Sequence, residues 1–294
     1  MANLKKSILG RESVQVASFG IRRLLHCLAG GRQSNATLEM AGTVVVFDFD
    51  RTLIDDDTDR WVVTRMGLTS LFNQLRPTLP WNSLMDRMMK ELHSRGKTAD
   101  DIAQCLNQMP LHPRVTEAIK SIHALGCDLR IVSDANQFFI EKILGHHGLL
   151  GCFSQIITNP TSIDDEGRVR ISPYHDLSSS PHDCRLCPSN LCKGTVIDQI
   201  LVSTTQNEKK RFIYLGDGRN DFCPSLKLGE GDYVMPRKGY PLWDQLCSKP
   251  TLVKAKIHEW SNGKELADIL LRILNAISAE ESINSSNRNH LNSS

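Results

Sequence analysis

The chain has 294 residues, of which 40% are hydrophobic and 23% are charged. This length and composition are typical of one or two globular domains with a buried core. A net charge of +2 is too small to attract nucleic acid or an anionic membrane by overall electrostatics. No apolar run reaches the ~20 residues of a membrane-spanning helix. We therefore expect neither nucleic acid nor a membrane as a partner, while the oligomeric state stays open.

Residues 1–39 are basic and contain an amphipathic stretch, VASFGIRRLLHCLAG. An organellar transit peptide has this composition, and a disordered extension can have it too. Met40 stands directly before the first predicted strand and would be a natural start. The nine cysteines are odd in number and mostly scattered, which indicates a reducing compartment. We expect a cytoplasmic protein, or an organellar one if residues 1–39 direct import.

Residues 44–53, VVVFDFDRTL, join a short apolar strand to two carboxylates. Side chains alternate along a strand, so Asp48 and Asp50 should point to the same side. Two unpaired charges at the end of a buried strand are costly. A divalent metal together with a phosphate would neutralise them. The alternative is an ordinary strand-ending turn in which Asp50 and Thr52 act as caps.

The chain after this strand divides by composition and periodicity. Residues 56–115 carry helix formers with apolar positions three and four apart, which predicts either an all-helical cap inserted after the first strand or a further part of the core. Strands alternate with helices over residues 116–278. Together with residues 43–55, this segment is predicted to form an α/β core with a Rossmann-like parallel sheet. The polar, low-complexity residues 279–294 predict a disordered tail.

Polar groups recur at the predicted carboxyl ends of these strands. Ser133 and Asp134 follow the strand that starts at residue 128, and Asp217 follows the strand RFIYLG. Lys193 opens a predicted helix, whose free N–H groups favour an anion. Because ligands of parallel α/β sheets bind at this edge, the residues indicate a single site together with the DFD motif.

Four motifs stand in a fixed order: DFDRT, a strand-end serine, a helix-opening lysine and GDGRND. In this order and placement the chain resembles the haloacid dehalogenase (HAD) superfamily over residues 44–235. The resemblance implies a phosphoric monoester hydrolase with a Rossmann-like core, Mg²⁺ as the cofactor and a small phosphorylated metabolite as the substrate.

The resemblance also implies roles for the motif residues. Asp48 would be the nucleophile that forms a phospho-aspartate, and Asp50 would be the general acid and base. The carboxylates of Asp48 and Asp217 and the backbone carbonyl of Asp50 would hold Mg²⁺. Ser133 and Lys193 would bind the phosphate oxygens, the lysine as a point charge.

Two residues would support this machinery. Asp221, in GDGRND, would orient a metal-bound water or Lys193, and Thr52 would support the loop that carries the two motif aspartates.

The run CPSNLCKG narrows the resemblance to the phosphoethanolamine/phosphocholine phosphatase branch, and longer matches over residues 43–275 point to its plant members. Those members are related to thiamine phosphate phosphatases and to a group of inorganic pyrophosphatases. In this branch Asp59 and Asp134 are assigned to the substrate, where two acids would suit a cationic head group. Capping of the following helices is the alternative role for both. Arg219 and Asn220 depart from the small residues typical of plant relatives.

The expected function is therefore Mg²⁺-dependent hydrolysis of a small phosphomonoester, with thiamine monophosphate favoured. The alternatives are inorganic pyrophosphatase, phosphocholine/phosphoethanolamine phosphatase, and a catalytically silent protein that binds a phosphorylated ligand.

Three clustered cysteines, Cys184, Cys187 and Cys192, also have a spacing found in zinc sites. His175 or His182 would be the fourth ligand. The alternative is that this loop serves only to deliver Lys193.

Overall fold

The computed structural model of the protein describes residues 40–175, 182–204 and 210–291, with side chains described up to residue 283. The basic segment 1–39 lies outside these residues, so its predicted transit-like or disordered character stays a prediction. Within the described ranges, no helix combines the length and the apolar character needed to cross a membrane.

A six-stranded parallel sheet forms the centre of the described chain, with the strand order β3-β2-β1-β6-β7-β8. Strands β4 and β5 form a separate antiparallel hairpin. The strands are β1 (Thr43–Phe47), β2 (Asp128–Asn136), β3 (Gln155–Asn159), β4 (Thr161–Ile163), β5 (Val169–Ile171), β6 (Arg211–Gly216), β7 (Tyr233–Pro236) and β8 (Lys256–Ile257).

Helices connect the strands and cover both faces of the sheet. They are α1 (Thr58–Arg65), α2 (Thr69–Leu75), α3 (Trp81–Ser94), α4 (Ala99–Leu106), α5 (Pro113–Ala124), α6 (Gln137–His146), α7 (Lys193–Thr204), α8 (Phe222–Ser225), α9 (Pro241–Ser248) and α10 (Gly263–Leu291). Single helical turns at Leu150–Cys152 and Arg219–Asp221 complete the connections.

Strand β1 lies inside the sheet, and every one of its side chains is buried. Val45 and Phe47 pack into one hydrophobic cluster, which includes residues of α5 and α10. Val44 and Val46 pack into a second cluster with residues of α7 and α9. A strand buried on both faces needs a continuous apolar sequence, which residues 44–47, VVVF, supply. The predicted α/β class with a Rossmann-like parallel sheet is confirmed.

Helices α1 to α4 lie between β1 and α5 and form the all-helical cap that the sequence predicts. Their apolar side chains, including Met85 and Met88 of α3, join the same hydrophobic cluster as one face of the sheet. The β4–β5 hairpin supports the cap, because Arg170 of β5 binds Asp86 of α3 through two hydrogen bonds of 2.8 Å. Helix α5 packs on α10 and therefore belongs with the core layers.

The C-terminal end of the described chain differs from the sequence prediction. Helix α10 continues to Leu291, so the disordered tail predicted over 279–294 is wrong for residues 279–291. Ile277 and Ser278 are buried, and Glu280 pairs with Arg211 of β6 at 2.9 Å. Composition alone carries no information about this ion pair, which holds the polar end of the helix against the start of β6.

Candidate active site

The loop that follows β1 carries the DFD aspartates. Asp48 continues the strand geometry and donates its backbone N–H to the carbonyl of Leu215 in β6 at 2.9 Å. Asp50 is also extended, but Arg51 turns the chain with a φ of 58°, and within the described residues it is the one non-glycine residue at positive φ. Such a strained residue persists only where its surroundings hold it, and it ends the strand directly after the two acids.

Arg237, which follows β7, holds this turn. Its guanidinium donates to the backbone carbonyl of Arg51 at 2.7 Å and to the Asp55 carboxylate at 3.0 Å. The Arg51 side chain in turn pairs with Asp57 at 3.0 Å. Sequence reasoning missed Arg237 because its contact lies 186 residues away along the chain.

Lys193 joins two of the predicted site aspartates. Its ammonium lies 2.6 Å from Oδ1 of Asp48 and 2.8 Å from Oδ1 of Asp221, and its side chain is fully buried. Burial alone lowers the pKa of Lys193, but the carboxylates of Asp221 and Asp48 raise this pKa well above its ordinary value on balance. Lys193 is therefore a buried cation and not a solvated surface lysine.

Asp221 is fully engaged within the protein. Its Oδ1 accepts hydrogen bonds from the Tyr214 hydroxyl at 2.6 Å and from Lys193, and its Oδ2 accepts the backbone N–H groups of Asp217 and Gly218. Four donors occupy the ~4 lone-pair positions of a carboxylate. Gly216 makes room for this side chain, since a Cβ there would lie 2.5 Å from the Asp221 carboxyl carbon. Asp221 therefore orients Lys193 and the loop after β6.

Asp217 and Asp48 keep capacity for a further ligand. The Thr52 hydroxyl contacts Oδ2 of Asp48 at 3.1 Å and Oδ1 of Asp217 at 3.5 Å. The contact to Asp217 is at the outer limit of a hydrogen bond, so this carboxylate keeps lone pairs for a ligand. Carboxylate oxygens of Asp48, Asp217 and Asp221 lie within 4.8 Å of one another. Because Asp221 is occupied, Asp48 and Asp217 are the two carboxylates whose chemistry fits a hard cation such as Mg²⁺.

The Asp217 carboxyl also carries a perturbed pKa. Burial and the neighbouring Asp221 raise the pKa of Asp217 to about 6, against the opposing charge of Lys193. Burial likewise raises the pKa of Asp48, while the Lys193 ammonium lowers it. Three clustered carboxylates around one ammonium leave an excess of negative charge, which a metal ion would balance.

The Asp50 side chain turns toward the cap. Its Oδ1 accepts the backbone N–H of Thr58 at 2.9 Å, and its Oδ2 accepts the Thr58 hydroxyl at 3.2 Å. Burial and the charges of Asp57 and Asp59 raise the pKa of Asp50 well above the usual value for an aspartate. A carboxyl group that holds its proton at neutral pH can act as an acid. Thr58, which begins α1, is a second residue that sequence reasoning missed.

The strand register brings the remaining motif residues to the same edge. Phe47 pairs with Ile131 of β2 and Leu215 of β6. Asp48 stands one residue beyond this row, and Ser133 and Asp217 stand two residues beyond it. Ser133 is buried and its hydroxyl accepts the backbone N–H of Ala135 at 3.2 Å. The structure thus brings the DFD motif, the strand-end serine and GDGRND to one sheet edge.

Asp59 and Asp134 lie in a second, adjoining region under the cap. They line a cavity of about 10 Å³ together with Trp81 of α3 and Asn159 of β3. Asp59 Oδ2 accepts the Trp81 indole N–H at 2.6 Å, while its buried Oδ1 has no hydrogen-bond partner among the described residues. Burial and the charge of Asp57 raise the pKa of Asp59 to about 7.

The capping alternative for these two acids is wrong. The N-cap of α1 is Asp57, whose carboxylate accepts the N–H of Arg60. The N-cap of α6 is Asn136. The Asp134 carboxylate instead accepts a hydrogen bond from the Asn220 side chain, one of the two positions that depart from the plant pattern.

Asn159 is a further residue that the sequence did not single out. Its Nδ2 donates to the backbone carbonyls of Asp134 and Ala135 at 2.6 and 2.7 Å. Its Oδ1 accepts hydrogen bonds from Asn82 of the cap at 2.7 Å and from Asn190 of the cysteine loop at 2.8 Å. This buried amide therefore links the cap, strand β2 and the loop that leads to α7.

Comparisons with known proteins agree with this geometry. A model of the family described as "Putative Phosphatase" matches residues 43–274. The thiamine phosphate phosphatase-like protein of Arabidopsis thaliana is 60% identical over 243 residues, which cover 82% of this chain and 99% of that protein. Inorganic pyrophosphatase 2 of Arabidopsis thaliana is 56% identical over 239 residues, which cover 81% of this chain and 86% of that protein.

One solved structure is of a phospho-aspartyl intermediate analogue of phosphoserine phosphatase. It matches with a TM-score of 0.51 at 17% sequence identity, covering 78% of this chain and 98% of the other. At this identity the likeness concerns the fold, which both chains share.

Proposed function

The chain belongs to the "Putative Phosphatase" family of HAD-type phosphatases, and on that premise we propose that it hydrolyses a small phosphomonoester with a cationic head group, thiamine monophosphate being favoured. The observation that carries this proposal is the Asp59 carboxylate, which is buried under the cap with one oxygen unpartnered. A buried carboxylate with an unmet oxygen is costly unless a ligand supplies a donor or a positive charge.

A second acid strengthens the case for a cation. Asp134 lines the same cavity as Asp59, and the charge of Asp134 contributes to the raised pKa of Asp59. A cationic group between the two would relieve this repulsion and favour the ionised form of both. Pyrophosphate would instead bring a further negative charge into the cavity. A thiazolium, choline or ethanolammonium group therefore suits the pocket better than a second phosphate.

The proposed reaction proceeds in two steps. In the first, a carboxylate oxygen of Asp48 forms a bond to phosphorus while the bond from phosphorus to the ester oxygen breaks, and Asp50 gives its proton to the leaving alcohol. In the second, Asp50 takes a proton from water, whose oxygen attacks phosphorus and displaces Asp48, releasing inorganic phosphate.

The side chains around Asp48 support each step. The buried Lys193 ammonium, 2.6 Å from Oδ1 of Asp48, would pair with phosphate oxygens as they enter, and Ser133 would donate to them. The hydrogen bonds from Thr58 hold the Asp50 carboxyl in one orientation. Phosphoryl transfer depends mainly on such positioning and on charge neutralisation.

Magnesium is the proposed cofactor. The carboxylates of Asp48 and Asp217 and the backbone carbonyl of Asp50 would hold it, with Asp221 kept out of the coordination by its four internal hydrogen bonds. Bound there, the ion would neutralise phosphate charge during the transfer.

One observation favours inorganic pyrophosphatase as the second candidate. The cavity beside Asp59 measures about 10 Å³, which is room for about one water molecule. The phosphate released from pyrophosphate is smaller than thiamine, so it would require a smaller opening of the cap beside Asp59.

A substrate panel tests the proposal. The full chain is assayed with Mg²⁺ on thiamine monophosphate, phosphocholine, phosphoethanolamine and pyrophosphate, with glycerol phosphate as the matched monoester that lacks a cation. We expect higher kcat/KM for the cationic monoesters than for glycerol phosphate, with thiamine monophosphate first. Faster cleavage of pyrophosphate than of every monoester would instead support the second candidate.

A further inference from the structure

Four cysteine side chains converge next to Lys193 and the GDGRND loop. Cys184, Cys187 and Cys192 come from the loop that precedes α7, and Cys223 lies in α8, just after GDGRND. The sulfur of Cys223 lies 3.6 Å from that of Cys184 and 3.9 Å from that of Cys192. All four sulfurs lie within 4.8 Å of one another, although 31 residues separate Cys192 from Cys223.

We infer that these four cysteines form a structural zinc site that fastens the Lys193 helix to the GDGRND loop. Zinc in structural sites is bound tetrahedrally by thiolates at about 2.3 Å, which places neighbouring sulfurs about 3.8 Å apart. The sulfur–sulfur distances from Cys223 to Cys184 and to Cys192, 3.6 and 3.9 Å, lie on either side of that value. Four protein ligands close the coordination sphere, as a structural role requires.

The surrounding residues fit a bound metal. Gly194 approaches the cluster closely, since a Cβ at this position would lie 2.3 Å from the Cys223 sulfur. The backbone N–H of Thr195 donates to the Cys192 sulfur at 3.4 Å, where α7 begins. A thiolate is stabilised at a helix N-terminus. Cys192 and Cys223 are buried, so solvent has little access to the inner half of the site.

The fourth ligand differs from the two that the sequence suggested. The cysteine spacing pointed to His175 or His182, but the His182 ring nitrogen Nε2 lies 3.0 Å from the carbonyl of Pro188 instead. Cys223 takes the position because α8 packs on α7. The sequence pattern did not identify Cys223 as a ligand because this residue lies far along the chain from Cys184 and Cys187.

The placement of the cluster gives the metal a defined task. Cys192 immediately precedes Lys193, and Cys223 stands two residues after Asp221. Lys193 and Asp221 form a buried ion pair at 2.8 Å. Metal coordination would therefore fix the two backbone segments from which this pair extends. The role is structural, and it stands whichever phosphorylated substrate the enzyme takes.

Other occupants of four sulfurs are distinguishable. A disulfide requires sulfurs about 2.05 Å apart and would leave two cysteines over. A four-iron cluster separates its cysteine sulfurs further, because each binds a different iron. A single iron in the same tetrahedron remains chemically feasible for four thiolates, so the metal must be identified directly.

The test is the metal content of the full chain, purified under reducing conditions without chelator from cells supplied with zinc. We expect one zinc per chain by elemental analysis. Replacement of zinc by Co²⁺ should produce sulfur-to-cobalt charge-transfer absorption in the near ultraviolet and intense visible bands of a tetrahedral site. Cys187→Ser and Cys223→Ser should each lose the zinc and these bands.

Two control variants locate the metal. Cys247→Ser, an exposed cysteine outside the cluster, should keep one zinc per chain. Asp217→Asn should also keep it, which separates the thiolate site from the carboxylates of the active site. Because a cysteine variant could fail to fold, the wild-type measurements decide by themselves. Wild-type chain without stoichiometric zinc, with iron in its place, or without the thiolate bands after cobalt loading would overturn the proposal.

Discussion

Two buried carboxylates in this protein, Asp221 and Asp59, differ in how many hydrogen bonds they accept. Asp221, which shares the Lys193 ammonium with Asp48, accepts hydrogen bonds from Tyr214, Lys193 and two backbone N–H groups. Asp59, under the cap, accepts one hydrogen bond from Trp81 and leaves its other oxygen unpartnered. Hydrogen bonds within the protein therefore compensate for the desolvation of Asp221, whereas one oxygen of Asp59 lacks this compensation.

In the proposed function, this difference corresponds to two roles: Asp221 belongs to the catalytic cluster, and Asp59 belongs to the pocket for the substrate head group. The Asp48–Lys193–Asp221 cluster has its positions determined before any substrate arrives, which suits a reaction that depends on preset charges. Asp59 keeps one oxygen without a hydrogen-bond partner among the described residues, so in the proposed function this pocket would select the substrate head group. The following predictions probe the first region, then the second, in order of decreasing effect.

Asp48→Asn removes the proposed nucleophile and should lower kcat/KM by about 10⁴-fold or more, since loss of a nucleophile abolishes the covalent route. Steady-state kinetics with Mg²⁺ on the best substrate of the panel measures this. Asp100→Asn, at an exposed position of the cap, is the control and should keep full activity. Activity of Asp48→Asn within about tenfold of wild type would contradict the phospho-aspartate step.

Lys193→Met should lower the free energy of unfolding by about 3–5 kcal/mol, because it leaves Asp48 and Asp221 buried without their cation. Urea denaturation measures the change. Lys264→Met is the matched control: it removes an exposed ion pair with Asp268 and should cost at most about 1 kcal/mol. An equal decrease in the free energy of unfolding for the two variants would show that the buried Lys193 ammonium stabilises the fold no more than an exposed lysine does.

Asp59→Asn should stabilise the folded protein at alkaline pH. Burial raises the pKa of Asp59 from 3.8 to about 7. The unfolded chain therefore releases this proton at lower pH than the folded chain does, and the free energy of unfolding falls as the pH rises through that interval. Asparagine has no proton to release. The variant should thus gain up to about 4 kcal/mol over wild type above pH 7, and nothing below the unfolded pKa.

Urea denaturation of Asp59→Asn and wild type at about pH 8 and at about pH 3.5 checks this dependence. Asp100→Asn, on the exposed surface of the cap, should show no comparable gain at alkaline pH. A stability difference between Asp59→Asn and wild type that stays constant across this range would contradict a proton-linked cost at Asp59.

The same variant should bind cationic substrates less well. Asp59→Asn should raise KM for thiamine monophosphate by about tenfold or more, the typical loss when a hydrogen-bonded charge contact is removed. The KM for glycerol phosphate, which has no cation to contact Asp59, should stay unchanged. An equal rise for both substrates would show that Asp59 supports the fold of the cap and does not recognise the head group.

The local patterns identified many parts of the fold because they depend on neighbouring residues. Residues 44–47, VVVF, form a continuous apolar run, so a strand buried on both faces follows from the sequence. The helical periodicity of residues 56–115 predicts the cap. The sequence also predicted that DFDRT, Ser133, Lys193 and GDGRND lie at one edge of the sheet. The reason is that the carboxyl ends of parallel strands meet at the same edge. The polar tail was misjudged: residues 279–291 form the end of a helix, which pairs with β6 through Glu280 and Arg211.

By itself, the sequence determined the α/β class, the cap and which motif residues lie at the same edge of the sheet. Only the tertiary structure decided which of these charges are paired: Asp221 with Lys193 and Tyr214, Asp59 with Trp81, and Arg237 with the Arg51 turn. It also brought Cys223 to the three loop cysteines. Such pairings join residues distant in sequence, and they follow from how whole elements pack, which local propensity and periodicity do not encode.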